Sequence, residues 1–321
     1  MKKRIISLAA AAVFVIGTLA GCGNSSTQTT DKTASSSGGD LVTVRDAVMT
    51  GQLDQYATEI GLWQGIFEKY GIDLQTTEFV AGINTIDAVV NGTADIGMMA
   101  DYAAVNRLGN TLDATNLQIF SQISGGQSAL SGGLYVDPKY ADDPKSLDGS
   151  AGFMYQEGTV TYYYASKCIE YLGLDESKQN LINTDSSQTR LALIQKGGAS
   201  AVYANGSEAK YIEEAGWVQV ATSQKIGIQT GSYFLSTDKY ISENTDTLAK
   251  FLQAVDESTQ YINDHLDESA EYLADKLGLK AEDFKENWKN YSFEPGFSEE
   301  ATTHLEDIEK WGFEHGSFPK D

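Results

Sequence analysis

Residues able to do chemistry in this 321-residue chain fall in short polar runs, each close behind an apolar one. They are Gln52, Asp54 and Tyr56; Asn84 and Thr85 behind Gly82; Asp101 and Tyr102; Glu157, Gly158, Thr159 and Tyr162; Asp185 and Ser186; and Asn205. Amides, hydroxyls, phenols and single carboxylates of this kind hold a small polar molecule by hydrogen bonds. The parts for breaking covalent bonds are missing: there is no G-x-S-x-G elbow, no H-E-x-x-H, no Walker loop and no dinucleotide fingerprint. His265, His304 and His315 all lie in the C-terminal third and read as surface or helix-end residues, so neither a metal site nor a catalytic triad is expected. Asp142, Asp143 and Asp148-Gly149 lack calcium-loop spacing and read as turns. No catalytic residue, metal or cofactor is expected.

Several of these residues have two readings. Gly158-Thr159 at a helix start suits an anion, because glycine admits close approach and the hydroxyl adds a donor; the alternative reading of Thr159 is a plain N-cap. Asp101 and Tyr102 could touch a ligand or open the next helix. Tyr162, Tyr163 and Tyr164 cannot share one helix face; Tyr162 is placed toward the ligand, and Tyr164 with Val160 and Cys168 toward the core, where Cys168 is an inert thiol. Arg45, beside Asp46, could reach an anion or form an internal ion pair. The runs hold Asp54, Asp101, Glu157 and Asp185 against at most one arginine, Arg45, so acids and tyrosines together leave a cation or zwitterion open.

The elements that must position these residues alternate. Strands are predicted over residues 41–48, 73–79 and 94–99, with helices over 56–70 and 84–91 between them. Ile60, Trp63, Ile66 and Phe67 recur at helical spacing in the first helix. After Pro144 the grammar repeats, with strands at 151–155, 180–184 and 199–204 and helices at 159–172, 187–196 and 207–215. Such alternation means α/β units with mainly parallel sheets, whose ligands sit beyond the carboxyl ends of the strands. Residues 85–97 and 189–201 echo one another, each a helix, a glycine stop and an apolar strand. The predicted organisation is a first lobe of residues 41–134 plus 236–321 and a second of 135–235. Apolar strands at 133–136 and 232–236 are the candidate hinge. A stripe of Leu248, Phe251, Leu252, Val255, Thr259 and Ile262 marks a C-terminal helix that completes the first lobe.

Lys2, Lys3 and Arg4 precede an apolar run over residues 5–19 that ends in Leu19-Ala20-Gly21-Cys22, the layout of a signal peptide covering 1–21. That run is shorter than the roughly 20 residues a membrane-spanning helix needs. Leu-Ala-Gly-Cys resembles the lipobox of bacterial lipoproteins, which implies cleavage before Cys22 and a lipid anchor on it. Residues 23–40 are polar and small and form a tether with a reach of roughly 20–25 Å. Without the three leader cations, 20 basic residues face 45 acidic ones, a net charge of −25. A surface of that sign, with no cluster of Lys and Arg, argues against nucleic acid as a partner.

Taken together, these residues resemble the nitrate, sulfonate and taurine type of solute-binding protein that serves ATP-binding-cassette importers, a group related to binders of thiamine precursors. The likeness extends over nearly all of residues 41–313. It rests on the sixteen residues Gly82 to Gly97, similar to a family pattern of a helix and then Gly-x-Ala-Asp-Ile-Gly; on Gly61-Leu62-Trp63-Gln64-Gly65-Ile66-Phe67-Glu68-Lys69-Tyr70-Gly71-Ile72-Asp73; and on Ser146-Leu147-Asp148-Gly149. Gly197-Gly198-Ala199-Ser200-Ala201 departs from the usual Gly-x-x-Asp-Ala. Met49-Thr50-Gly51 stands where the thiamine-precursor binders carry an aromatic-proline pair.

The resemblance implies a two-lobed periplasmic-binding-protein-like fold of type II, each lobe a mainly parallel sheet flanked by helices, the two joined by hinge strands. It implies an extracytoplasmic, monomeric, non-enzymatic protein that captures a small polar or charged organic solute and passes it to a permease and its ATPase. A thiamine-precursor or cationic ligand, or presentation to a sensor, remain alternatives; a lipid-anchored enzyme is the remotest.

Overall fold

The computed structural model describes residues 41–111, 116–126, 132–149, 152–157, 159–289 and 293–318. The signal peptide, Cys22, the tether and Gly158 lie outside the described residues.

The first series runs β1 (Val42–Met49), α1 (Leu53–Trp63), α2 (Ile66–Lys69), β2 (Ile72–Phe79), α3 (Gly82–Val90), β3 (Ile96–Ala100), α4 (Asp101–Thr111) and β4 (Leu117–Gly126). In β1 the side chains alternate, so Val44, Asp46 and Val48 share one face and Arg45 and Ala47 the other. The helix predicted over 56–70 is two helices, because Gly65 adopts a left-handed conformation with φ 67° and restarts the chain as α2.

The second series is β5 (Gly132–Val136), β6 (Gly152–Tyr155), α5 (Val160–Leu172), β7 (Asn180–Asn183), α6 (Ser187–Gln195), β8 (Ala201–Asn205), α7 (Gly206–Glu214), β9 (Val218–Thr222) and α8 (Ser223–Ile226). The chain then returns through β10 (Thr230–Thr237) to α9 (Asp238–Glu243), α10 (Thr245–Asp264), α11 (Leu266–Leu277), α12 (Ala281–Trp288) and α13 (Glu299–Glu314).

Two five-stranded sheets result, ordered β2-β1-β3-β10-β4 and β7-β6-β8-β5-β9. The same plan is used twice: three parallel strands, then one strand that runs against them, then an outer strand. The antiparallel member is the strand on which the chain returns in one sheet, β10, and the strand on which it arrives in the other, β5. Each candidate hinge strand therefore lies wholly inside one sheet, and the chain changes lobes just before it. The echo of 85–97 in 189–201 is real in three dimensions, since α3 and α6 both stop at left-handed glycines, Gly92 (φ 72°) and Gly197 (φ 67°), that turn the chain toward β3 and β8. β4 and β9 escaped the sequence reading; both are outer strands, short of long apolar runs.

The α10 stripe is buried as expected at Leu248, Phe251, Val255, Thr259 and Ile262, with Leu252 packed at its edge. It covers α1 and α2 through Ile60, Ile66 and Phe67 and forms the deepest part of the first lobe. A second apolar cluster crosses between the lobes: Ala47, Ile86, Met99 and Leu235 are continuous with Leu134, Phe153, Tyr164 and Cys168 through Leu305, Ile308 and Trp311 of α13. Cys168 is fully buried and free, and burial pushes its thiol up, as an inert packing residue should be. Among the described residues, no helix is long and apolar enough to cross a membrane.

Candidate functional site

In both sheets the parallel strands end toward the two crossings of the chain: Thr230, where β10 begins, pairs with Gly126 at the end of β4, and Gly132, where β5 begins, pairs with Asn205 at the end of β8. The strand ends of the lobes therefore share the side on which the chain crosses, the place where α/β folds hold ligands.

On the first lobe, the loop from β1 to α1 is tied down by its own helix. The Met49 N–H donates to Asp54 Oδ2 (2.8 Å) and the Gly51 N–H to Gln55 Oε1 (2.7 Å). Gln52 takes the N-cap position of α1 without a side-chain capping bond. Tyr56 is half-buried with its ring edge-on to Phe284 at 5.0 Å, and burial, then the Asp54 charge, raise its pKa. Asn84 is exposed at the start of α3.

Three predicted contacts here are committed to the fold. Thr85 is fully buried, its hydroxyl on the Met98 carbonyl (2.5 Å) and near that of Gly82 (2.9 Å), which pins α3 to β3. Asp101 is 2% exposed; its Oδ1 accepts from the Tyr102 N–H (2.7 Å) and its Oδ2 from the Gly231 N–H (3.0 Å), with His304 Nε2 at 2.7 Å. Tyr102 is buried against Tyr163 and Trp311. These side chains are spent on holding β3, α4, β10 and α13 together.

His304 corrects the sequence reading. Far along the chain from the polar runs, it returns on α13 to Asp101 and is buried there. His265 and His315 are helix-end residues as expected, at the start of α11 and the end of α13, and His315 also stacks on Trp311, stands edge-on to Tyr162 and pairs with Glu176 at 3.3 Å. No local signal announced either contact, because both depend on how α13 packs across the lobes.

The second lobe leaves more of its predicted residues at the surface. Thr159 is the N-cap of α5: its Oγ1 accepts from the Thr161 N–H (3.3 Å) and donates to the Gln156 carbonyl (2.8 Å). Tyr162 is partly buried between Tyr155, Trp311 and His315, and its pKa is pushed up to about 12 by burial and then by the Glu176 charge. Asp185 is exposed and accepts from the hydroxyls of Thr189 (2.5 Å) and Ser186 (3.2 Å), which hold it below the usual carboxylate range. Asn205 is exposed at the N-cap of α7.

The arginines are all spoken for among the described residues. Arg45 pairs with Asp95 (2.5 Å) rather than with its neighbour Asp46, Arg107 with Asp87 (2.7 Å), and Arg190 with Glu208 (2.6 Å) while also reaching Thr184 and Ser187. Where α5, the segment before β10 and the start of α13 meet, a groove of about 570 Å³ is lined by Tyr163, Lys167, Gln229, Glu299, His304 and Asp307 among others. Its single lysine is already bonded to Glu170 (3.1 Å) and stands over the Tyr163 ring. Among the described residues there is no cluster of three or more side chains fit to hold a metal ion.

Residues 60–269 match the family model described as NMT1/THI5 like, about two thirds of the chain. The chain belongs to the NMT1/THI5-like family. Its fold is shared with solved structures of low sequence identity. The periplasmic aliphatic sulphonate binding protein SsuA from Escherichia coli superposes with a TM-score of 0.71 at 16% identity, over 87% of this chain and 94% of that one. The alkanesulfonate-binding protein SsuA from Xanthomonas axonopodis, solved with MOPS bound, gives 0.62 at 14% identity over 88% and 96%. The periplasmic nitrate-binding protein NrtA from Synechocystis gives 0.56 at 16% over 87% and 83%. A comparison of the sequence with curated proteins returns no match. The family assignment and these superpositions agree with the two-lobed, periplasmic-binding-protein fold expected from the sequence.

Proposed function

We propose that this member of the NMT1/THI5-like family is an extracytoplasmic, lipid-anchored solute-binding protein, which captures a small polar or charged organic solute between its lobes and delivers it to an ATP-binding-cassette importer. The observation that carries the reading is the paired architecture: two sheets of one strand plan whose parallel strands end on a common side, in a chain that covers 94% of a sulphonate-binding protein and 83% of a nitrate-binding one. Capture of this type needs no bond-breaking groups, so the protein is read as non-enzymatic. The lobe division is that of the sheets, with α9 to α13 completing the first lobe.

The ligand-facing set consists of Gln52, Tyr56 and Asn84 from the first lobe and Gly158, Thr159, Tyr162, Asp185 and Asn205 from the second. Thr85, Asp101 and Tyr102 support this set from behind. A sulfonate, taurine or nitrate-like solute would be held by N–H groups and hydroxyls at the helix starts, since the arginines are paired. A second reading, a cationic or zwitterionic solute, is favoured by those same paired arginines and by the acidic lining of the groove beside α13.

A thermal-shift screen of sulfonates, nitrate, amino-sulfonates, betaines and pyrimidines tests both. A true ligand at 100 times its dissociation constant adds about 2.7 kcal/mol, a readily measured rise in Tm. Stabilisation by sulfonates alone selects the first reading, by betaines the second, and by no member of the panel removes both. Anchoring is tested separately: Cys22→Ala should release the protein from the membrane fraction or leave its leader uncleaved, and unchanged anchoring of a mature form would remove the lipid from the account.

A further inference from the structure

Two carboxyls in the first lobe have no role in the fold's ion pairs. Asp46 lies in the middle of β1, 1% exposed, with neither oxygen bonded; Asp54 lies in the first turn of α1, fully buried, with Oδ2 on the Met49 N–H (2.8 Å), its own N–H and that of Gln55 close to the carboxyl, and Oδ1 without a hydrogen-bond partner. Three of four buried carboxyl oxygens therefore lack a hydrogen-bond partner. A buried carboxylate with neither a cation nor donors is so costly that such groups neutralise instead.

The charges on the surrounding elements do not relieve the pair. Arg45 points from the opposite face of β1 and is held by Asp95, while β2 contributes only the acids Asp73 and Glu78. On α1, Glu59 is paired with Lys276 of α11, and Tyr56 is neutral; Glu257 of α10 is turned to Lys69; β3 carries no charged side chain.

We propose that Asp46 and Asp54 are positioning residues for the β1–α1 loop that stay protonated while the loop is seated in the folded protein, so that raising the pH unseats this loop. The mechanism is steric. An ionised Asp54 can reach water only if the first turn of α1 lifts, and that turn carries Met49, Thr50, Gly51 and Gln52 with it through the Met49 and Gly51 hydrogen bonds. Because Gln52 belongs to the ligand-facing set, the consequence for capture rests on the proposed function; the proton does not.

Burial brings Asp54 to about 7, and burial together with the Asp54 charge holds Asp46 well above the usual carboxylate range. Both folded-state values exceed the unfolded ones. The contribution to stability is therefore complete below about pH 4 and is lost as pH rises, through about 7 for Asp54 and through the raised value of Asp46.

The test uses the ligand-free protein, so it succeeds or fails independently of any solute. Asp54→Asn keeps an oxygen for the Met49 N–H and cannot ionise. Measured between pH 5 and pH 7, its Tm should gain on wild type by about 2–3 °C per pH unit. Asp46→Asn should likewise gain on wild type as the pH rises, and provides the same comparison should the first variant fold poorly. Infrared spectroscopy at pH 6 should show a protonated-carboxyl band in wild type that is weaker in Asp54→Asn. Hydrogen exchange at the Met49 amide, corrected for intrinsic rates, should be less protected at pH 8 than at pH 6 in wild type and equally protected in Asp54→Asn. Parallel Tm profiles for wild type and both variants, or no protonated-carboxyl band, would overturn the retained protonation. Unchanged Met49 protection would overturn the coupling to the loop.

Discussion

The two lobes share a strand plan but spend their polar residues differently. At the strand ends of the first lobe, Thr85, Asp101 and Tyr102 are at most 4% exposed and bonded or packed into the interior, whereas Asp185 and Asn205 of the second lobe are exposed and Thr159 and Tyr162 half-buried. For Asp101 and Tyr102 the helices added after β10 explain the difference, because His304 and Trp311 of α13 pack on them, whereas Thr85 is held by the end of β3. A polar residue after a strand is thus a contact candidate only where no later helix covers it. The first lobe becomes a braced platform, and the second a presenting surface.

This contrast can be broken most severely at the seam. Trp311 touches Tyr102 on one lobe and Tyr162 and Tyr163 on the other, so Trp311→Ala should cost about 3–5 kcal/mol in urea unfolding, as truncation of a buried tryptophan does. If that variant unfolds at the wild-type midpoint, α13 does not join the lobes as described. Next, Asp101→Ala strands the Gly231 N–H and His304, and a loss of about 3 kcal/mol is expected. If Asp101 were instead a ligand contact left free by the fold, the same variant would keep its stability and lose only affinity.

The second lobe should answer more weakly and in the opposite sense. Thr159→Ala removes an N-cap for about 1 kcal/mol of stability, yet should weaken capture of whichever solute the thermal-shift panel identifies. Undiminished affinity in that variant would take Thr159 out of the site and leave it a cap alone. Smallest of all, Asp185→Ala should leave the urea midpoint where it is, since its partners are two exposed-side hydroxyls of its own helix start.

What could be read from the chain follows the range of the interactions that decide it. The strand and helix alternation, the α10 stripe and the glycine stops at Gly92 and Gly197 are encoded within a few residues, and the structure keeps them. Arg45 was legible as an ion-paired residue but not its partner, because Asp95 lies fifty positions away and Asp46, though adjacent, points to the other face of β1. The buried Asp101–His304 contact spans about two hundred residues and has no local signature. Thr85, by contrast, carried a hint: a hydroxyl in the first turn of a helix beside a close glycine has a backbone carbonyl within reach.

The central claim is that one solute bridges two lobes that can move. Small-angle scattering on the wild-type protein, with and without a saturating solute from the thermal-shift panel, tests it most directly, because a ligand that touches both lobes favours the closed arrangement by its differential affinity. The account predicts a smaller radius of gyration in the solute-bound protein and no such change in Thr159→Ala at the same solute concentration. Tight binding to the wild type with an unchanged radius of gyration would contradict it.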